Sequence, residues 1–83
     1  MKKDINKVWV ITWITLLDDE INVANDICES EEAARAKMQS NKDDVIADMG
    51  EDAVIRDDEA VFRAANNTGT HTEYIKLEMT CVD

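Results

Sequence analysis

Two patterns of apolar and polar residues dominate the chain, and they differ in period. From Lys7 to Leu17 almost every position is Val, Ile, Leu, Trp or Thr, residues that fit a pleated surface, so this stretch predicts a strand. Both of its faces are apolar: Val8, Val10, Ile14 and Leu16 share one with Thr12, while Trp9, Ile11, Trp13 and Leu17 share the other with Thr15. That is the signature of a central strand covered on both sides. In a chain this short one helix covers one sheet face easily. The second apolar face, the one with both tryptophans, then has to meet a loop, a bend in the sheet or another molecule.

Asp18-Asp19-Glu20 is a polar turn, and from Ile21 to Ile27 the positions Ile21, Val23, Asn25 and Ile27 alternate with Asn22, Ala24 and Asp26, which predicts a second strand in a hairpin with the first. Ser30 before Glu31-Glu32 predicts a helix start, with a hydroxyl to cap the backbone and two carboxylates in the first turn to complement the dipole. Ala34, Met38, Val45 and Met49 follow at helical spacing with Ile46 beside them, and Gly50 is placed to end the segment. Between Gln39 and Lys42 the pattern weakens, and Ser40 or Asn41 could cap a second short helix from Asp43. After the short apolar run Ala53-Val54-Ile55 comes a second polar punctuation, Asp57-Asp58-Glu59. Residues 60–65 read as a helix capped by Asp57 or as the first arm of a terminal hairpin, and the turn-forming Asn66-Asn67-Thr68-Gly69 favours the hairpin. The last segment has the cleanest period, with Ile75, Leu77, Met79 and Cys81 alternating with Lys76, Glu78, Thr80 and Val82. The expected fold is α+β: an antiparallel sheet of about four strands in β-β-α-β-β order, with helical structure packed on one face, in a single domain spanning residues 1–83.

Charge changes this picture by being localised. Fifteen of the nineteen acidic residues lie between Asp18 and Glu59 beside four basic ones, so the formal charge of minus 10 belongs to the middle of the chain. A pI near 4.3 argues against direct binding to nucleic acid or to an anionic membrane, because phosphate contacts come from Lys and Arg clusters. A basic protein surface is the expected partner. The apolar run after MKKDINK carries two Trp and two Thr and lacks a small-residue cleavage pattern, so it is not read as a secretory signal, and it is shorter than a membrane helix needs. Cys28 and Cys81 are the only cysteines and form no CxxC, which points to reduced thiols in the cytoplasm.

Catalytic, cofactor and metal chemistry find little support. The Asp-Asp-Glu clusters read as solvated turns, and an EF-hand register from Asp48 fails at Gly50 and Ala53. His71 is the only histidine, set in a turn between Thr70 and Thr72; with Cys28 or Cys81 it would make a nucleophilic pair only if the fold brought them together. One His and two isolated Cys do not make a zinc set. No cofactor is expected, and no enzymatic activity.

Two surfaces remain as candidates for binding. The first is the acidic middle, represented by Glu29, Glu31, Glu32, Asp43, Asp44, Asp48, Glu51 and Asp52. Carboxylates three or four apart on a helix stand about 5 to 6 Å from one another, a spacing able to imitate a phosphate track. In size, charge and lack of catalytic machinery the chain resembles small acidic proteins of phages and mobile elements, among them DNA mimics and anti-CRISPR inhibitors. That resemblance implies an inhibitor that meets a basic nucleic-acid-binding protein, and it assigns no residue roles. The second surface is the strand face with Trp9, Ile11 and Trp13, which is either core or the interface of a homodimer; in the latter case the acidity serves solubility.

Overall fold

In a computed structural model, which describes residues 6–51 and 53–82, six elements follow one another: β1 (Asn6–Leu17), β2 (Glu20–Cys28), α1 (Glu31–Met49), β3 (Val54–Asp58), β4 (Val61–Ala65) and β5 (His71–Val82). The strands form one antiparallel sheet in the order β2-β1-β5-β4-β3, with the helix on one side. The α+β class and the antiparallel sheet are as the sequence predicts. The strand count is not: Val54–Asp58 is a fifth strand, because Asp57 and Asp58 continue the ladder opposite Phe62 and Val61 and the turn begins only at Glu59. Residues 60–65 take the hairpin alternative, β4 pairing with β5.

The helix runs unbroken through Gln39–Lys42. Ser30 caps it, its hydroxyl accepting from the Ala33 N–H at 3.1 Å, and Gly50 ends it with φ 81 while donating to Ile46 O. Ala34, Met38 and Val45 are buried and Met49 packs beside them, as their spacing predicts, but Ile46 is exposed and Lys42 takes a buried place one turn after Met38.

Cross-strand register sorts every strand residue to one face. Trp9, Ile11 and Trp13 of β1 share the helix side with Ile75 and Leu77 of β5 and with Phe62 and Ala64 of β4, and these join Ala34, Met38 and Val45 in the core. Ile11, Phe62, Ile75 and Val45 are the largest fully buried side chains; each contributes about 1.5 to 3 kcal/mol. The expectation that the tryptophan face lacks a cover is therefore corrected. Ile11 is 1% exposed and both tryptophans pack against the core, so the candidate interface Trp9, Ile11, Trp13 is occupied within the chain. The uncovered face is the opposite one. Met79 and Cys81, placed by period with Ile75 and Leu77, are exposed, because β5 continues past the buried part of the sheet. No helix of the described residues is long and apolar enough to cross a membrane.

Two tight turns carry a strained residue. Asp18 and Glu59 have φ of 54 and 55, the left-handed region that costs an ordinary L-residue about 1 to 2 kcal/mol. Each stands first in a two-residue hairpin connection, where positive φ matches the twist of the flanking strands. Aspartate tolerates that conformation better than glutamate does. Glu59→Gly is therefore expected to raise stability by about 0.5 to 1 kcal/mol, less than the strain relieved because glycine also loosens the unfolded chain; urea unfolding followed by circular dichroism reads the shift.

Candidate functional site

The helix and its flanks place most of the predicted acidic residues in solvent. Glu29, Glu31, Glu32, Asp43, Asp44, Asp48 and Glu51 are all exposed, and Asp52 lies outside the described residues. They do not form a single track. At 3.6 residues per turn Glu32 and Asp43 point outward while Asp44 and Asp48, one turn apart, occupy a flank. Two of the set are engaged within the helix, Glu31 by Arg35 at 2.9 Å and Asp43 by Gln39 at 3.0 Å. Counting Arg35, Lys37 and Lys42 against its five acids, the helix carries a net charge of minus 2.

The acidity gathers instead at one end of the molecule. There the β1–β2 turn, the C-terminal end of α1 and the start of β5 meet: Leu17 pairs with His71, Asp18 N–H donates to Thr70 O at 2.8 Å, and Asp48 reaches His71 and Glu73. Asp18, Asp19, Glu20, Asp48 and Glu51 are exposed around this end. Asp44 and Asp48 lie in the C-terminal half of the helix, and no basic residue stands in its last turn. The partial negative charge of the helix C-terminus opposes Asp48, which stands in that last turn.

Beneath this end is a buried carboxylate that sequence reasoning missed. Glu73 is 6% exposed and faces the helix, and its Oε1 accepts from Trp13 Nε1 and from Thr15 Oγ1, each at 2.6 Å. Its Oε2 lies 2.6 Å from His71 Nε2. Three side chains of two neighbouring strands thus satisfy one carboxylate, which is how a buried charge is tolerated. His71 is the first residue of β5 rather than part of a turn; Asn66 holds the preceding loop, its Oδ1 accepting from His71 N–H at 3.1 Å.

Asp48, His71 and Glu73 offer ligand atoms within 4.8 Å of one another. A divalent transition metal at about 2.0 to 2.2 Å from each ligand would have to part the His71–Glu73 pair, and Glu73 Oε1 is committed to two donors. The donor set fits a structural network better than a metal centre. Nor does a thiol reach the histidine. Cys28 stands opposite Trp9 and Cys81 opposite Lys7, eight and ten residues along the sheet from His71, or about 26 and 33 Å at the rise of a strand.

A buried lysine paired with a half-exposed carboxylate anchors the other side. Lys42 Nζ donates to Asp57 Oδ1 at 2.8 Å and to Glu59 O at 3.2 Å, and lies 5.9 Å from the centre of the Phe62 ring. It closes the floor of an open groove of about 450 Å³ between α1 and the β3–β4 turn, lined also by Arg35, Gln39 and Glu59. On the opposite sheet face Glu78 sits 2.8 Å from Lys76, and this hydrogen bond and charge raise the pKa of the ammonium above its ordinary value.

No family model, curated protein or solved structure matches the chain. Its site has to be read from its own residues.

Glu73→Gln keeps the shape and removes the charge that holds Trp13, Thr15 and His71 together. The expected loss is about 1.5 to 3 kcal/mol, the worth of hydrogen bonds to a charged group, with a red shift of Trp13 fluorescence on exposure. Thermal unfolding and emission spectra of the variant check both.

Proposed function

We propose that this protein is a non-enzymatic acidic binding module that occupies a basic protein surface, such as the nucleic-acid groove of a DNA- or RNA-binding protein, and so acts as an inhibitor. The observation that carries the reading is the placement of Asp44 and Asp48. A carboxylate in the last turn of a helix, as Asp48 is, costs about 0.3 to 1 kcal/mol when exposed, Asp44 adds a like charge one turn before it, and a chain needing only solubility has cheaper positions for both. With Glu51 and the turn Asp18-Asp19-Glu20 they build one strongly negative end on a rigid sheet, where two strands and the helix fix the spacing. Glu29, Glu31, Glu32 and Asp43 extend the negative surface along the helix, with Glu31 screened by Arg35. An anionic end of this kind attracts a cationic groove from a distance and speeds its encounter.

The triple variant Asp44→Asn, Asp48→Asn, Glu51→Gln separates function from solubility. It is expected to melt several degrees higher than wild type, as about 1 kcal/mol in a domain of this size shifts the midpoint by about 4 to 8 °C. It is also expected to lose, at low salt, the basic proteins that the wild type captures from its native cells and releases at high salt. A variant that melts no higher and retains the same salt-sensitive partners would sink the proposal.

A further inference from the structure

The sheet face opposite the helix has nothing over it among the described residues, and it is apolar where β2 and β1 run together. Ile21, Val23 and Ile27 are 70%, 58% and 69% exposed, and they stand directly across from Leu16, Ile14 and Val10. This face escapes the acidity of the rest of the chain. Its described charges are Arg56, Arg63 and Lys76 against Asp58 and Glu78, a net of plus 1 on a protein of minus 10. A wetted surface that merely faced water would not need to be both apolar and spared of carboxylates.

We infer that the open face is a homodimer interface in which two copies stack sheet on sheet about a two-fold axis, lying between the sheets and across the strands at the level of Trp13 and Ile75. The register supplies the axis. Rows of side chains on the open face lie one and three steps to either side of the Trp13–Ile75 level, and a two-fold there lays these rows of β1, β2 and β5 on one another in the second copy, with the row of Val8 and Thr80 left beyond the overlap. Ile21 then meets Ile27, Leu16 meets Val10, Tyr74 meets Lys76, and Arg56 meets Asp58, each contact occurring twice. No charged residue is laid on one of its own sign. Arg56 stands beside Arg63 in the ladder, a like-charged neighbour that an isolated chain gains nothing from, and the partner's carboxylate relieves it.

The size of the face agrees with this occupant. Strands of 12, 9, 5, 5 and 12 residues give ~680 Å² of projected area at about 3.3 Å per residue and about 4.8 Å between strands. A stable interface buries about 800 Å² of accessible surface per partner, and corrugated side chains expose more than their projection. The proposed two-fold overlaps about three-quarters of these residues, ~520 Å² in projection at the same spacings, so the contact takes most of the face, which favours a partner about as broad as the sheet itself.

This inference is independent of the acidic end, and its test leaves every carboxylate there intact. Sedimentation equilibrium of the full chain across the micromolar range is expected to show a dimer. Ile21→Lys with Ile27→Lys, both exposed and tolerated by the monomer, is expected to sediment as a folded monomer with an unchanged circular dichroism spectrum. Arg56→Asp is expected to weaken the dimer by about tenfold or more, and Arg56→Asp with Asp58→Arg to restore it, since the swap rebuilds both ion pairs. A wild type that stays monomeric overturns the proposal. So does a dimer indifferent to the lysine pair, which would place association elsewhere than the open face, and so does a charge swap that fails to restore.

Discussion

One helix must serve a five-stranded sheet, and that disproportion shapes the molecule. A helix of 19 residues is about 28 Å long and about 10 Å across, whereas five strands span about 24 Å between outer edges and the longest run about 40 Å. The helix therefore covers the middle of one face and leaves the ends and the entire reverse side open. The large buried side chains of the sheet come from the strip beneath it, Ile11 of β1, Ile75 and Leu77 of β5 and Phe62 of β4, and they meet Met38 and Val45 of the helix. Polar anchors do the rest where apolar cover runs out, with Lys42 tying the helix to β3 and Glu73 binding β1 to β5.

Much of this architecture was legible in the sequence because it follows from local period and capping. The hairpin β1–β2, the Ser30 cap, the Gly50 stop and the alternation of β5 are each written in a few neighbouring residues. Which face of β1 receives the helix is not. Both faces of that strand are apolar, and the decision comes from partners far away in sequence, namely Phe62, Ile75 and Leu77, whose own apolar sides match Trp9, Ile11 and Trp13 in register. β3 was missed for a related reason. Asp57 and Asp58 look like turn residues, but Asp57 enters the ladder because Lys42 neutralises it from above.

The candidate site was legible in composition and not in arrangement. Acidity confined to residues 18–59 reads as an acidic helix, yet Arg35, Lys37 and Lys42 leave the helix only mildly negative. The concentration of charge appears when the sheet brings the first turn of the chain to the last turn of the helix. Glu73 stands two residues before Ile75, so the period of β5 already puts it on the buried side; its partners Trp13 and Thr15 are not legible, because they reach it only through the pairing of β1 with β5. The signal available for Lys42 was a cation on the apolar stripe, one turn after Met38 and three residues before Val45.

The adjacency of β1 and β5 also bears on how the chain reaches its fold. The two longest strands pair along their whole length, yet Trp13 and Ile75 are separated by 62 positions of sequence. The β1–β2 hairpin and the helix can form from local contacts, but the central ladder closes only after β5 has been synthesised, and such distant closures are slow. Until then β1 presents apolar residues on both sides and an unpaired edge. During that interval the nascent chain resembles a sheet waiting for its middle strand, and the acidic turns on either side of the helix keep such intermediates apart by mutual repulsion.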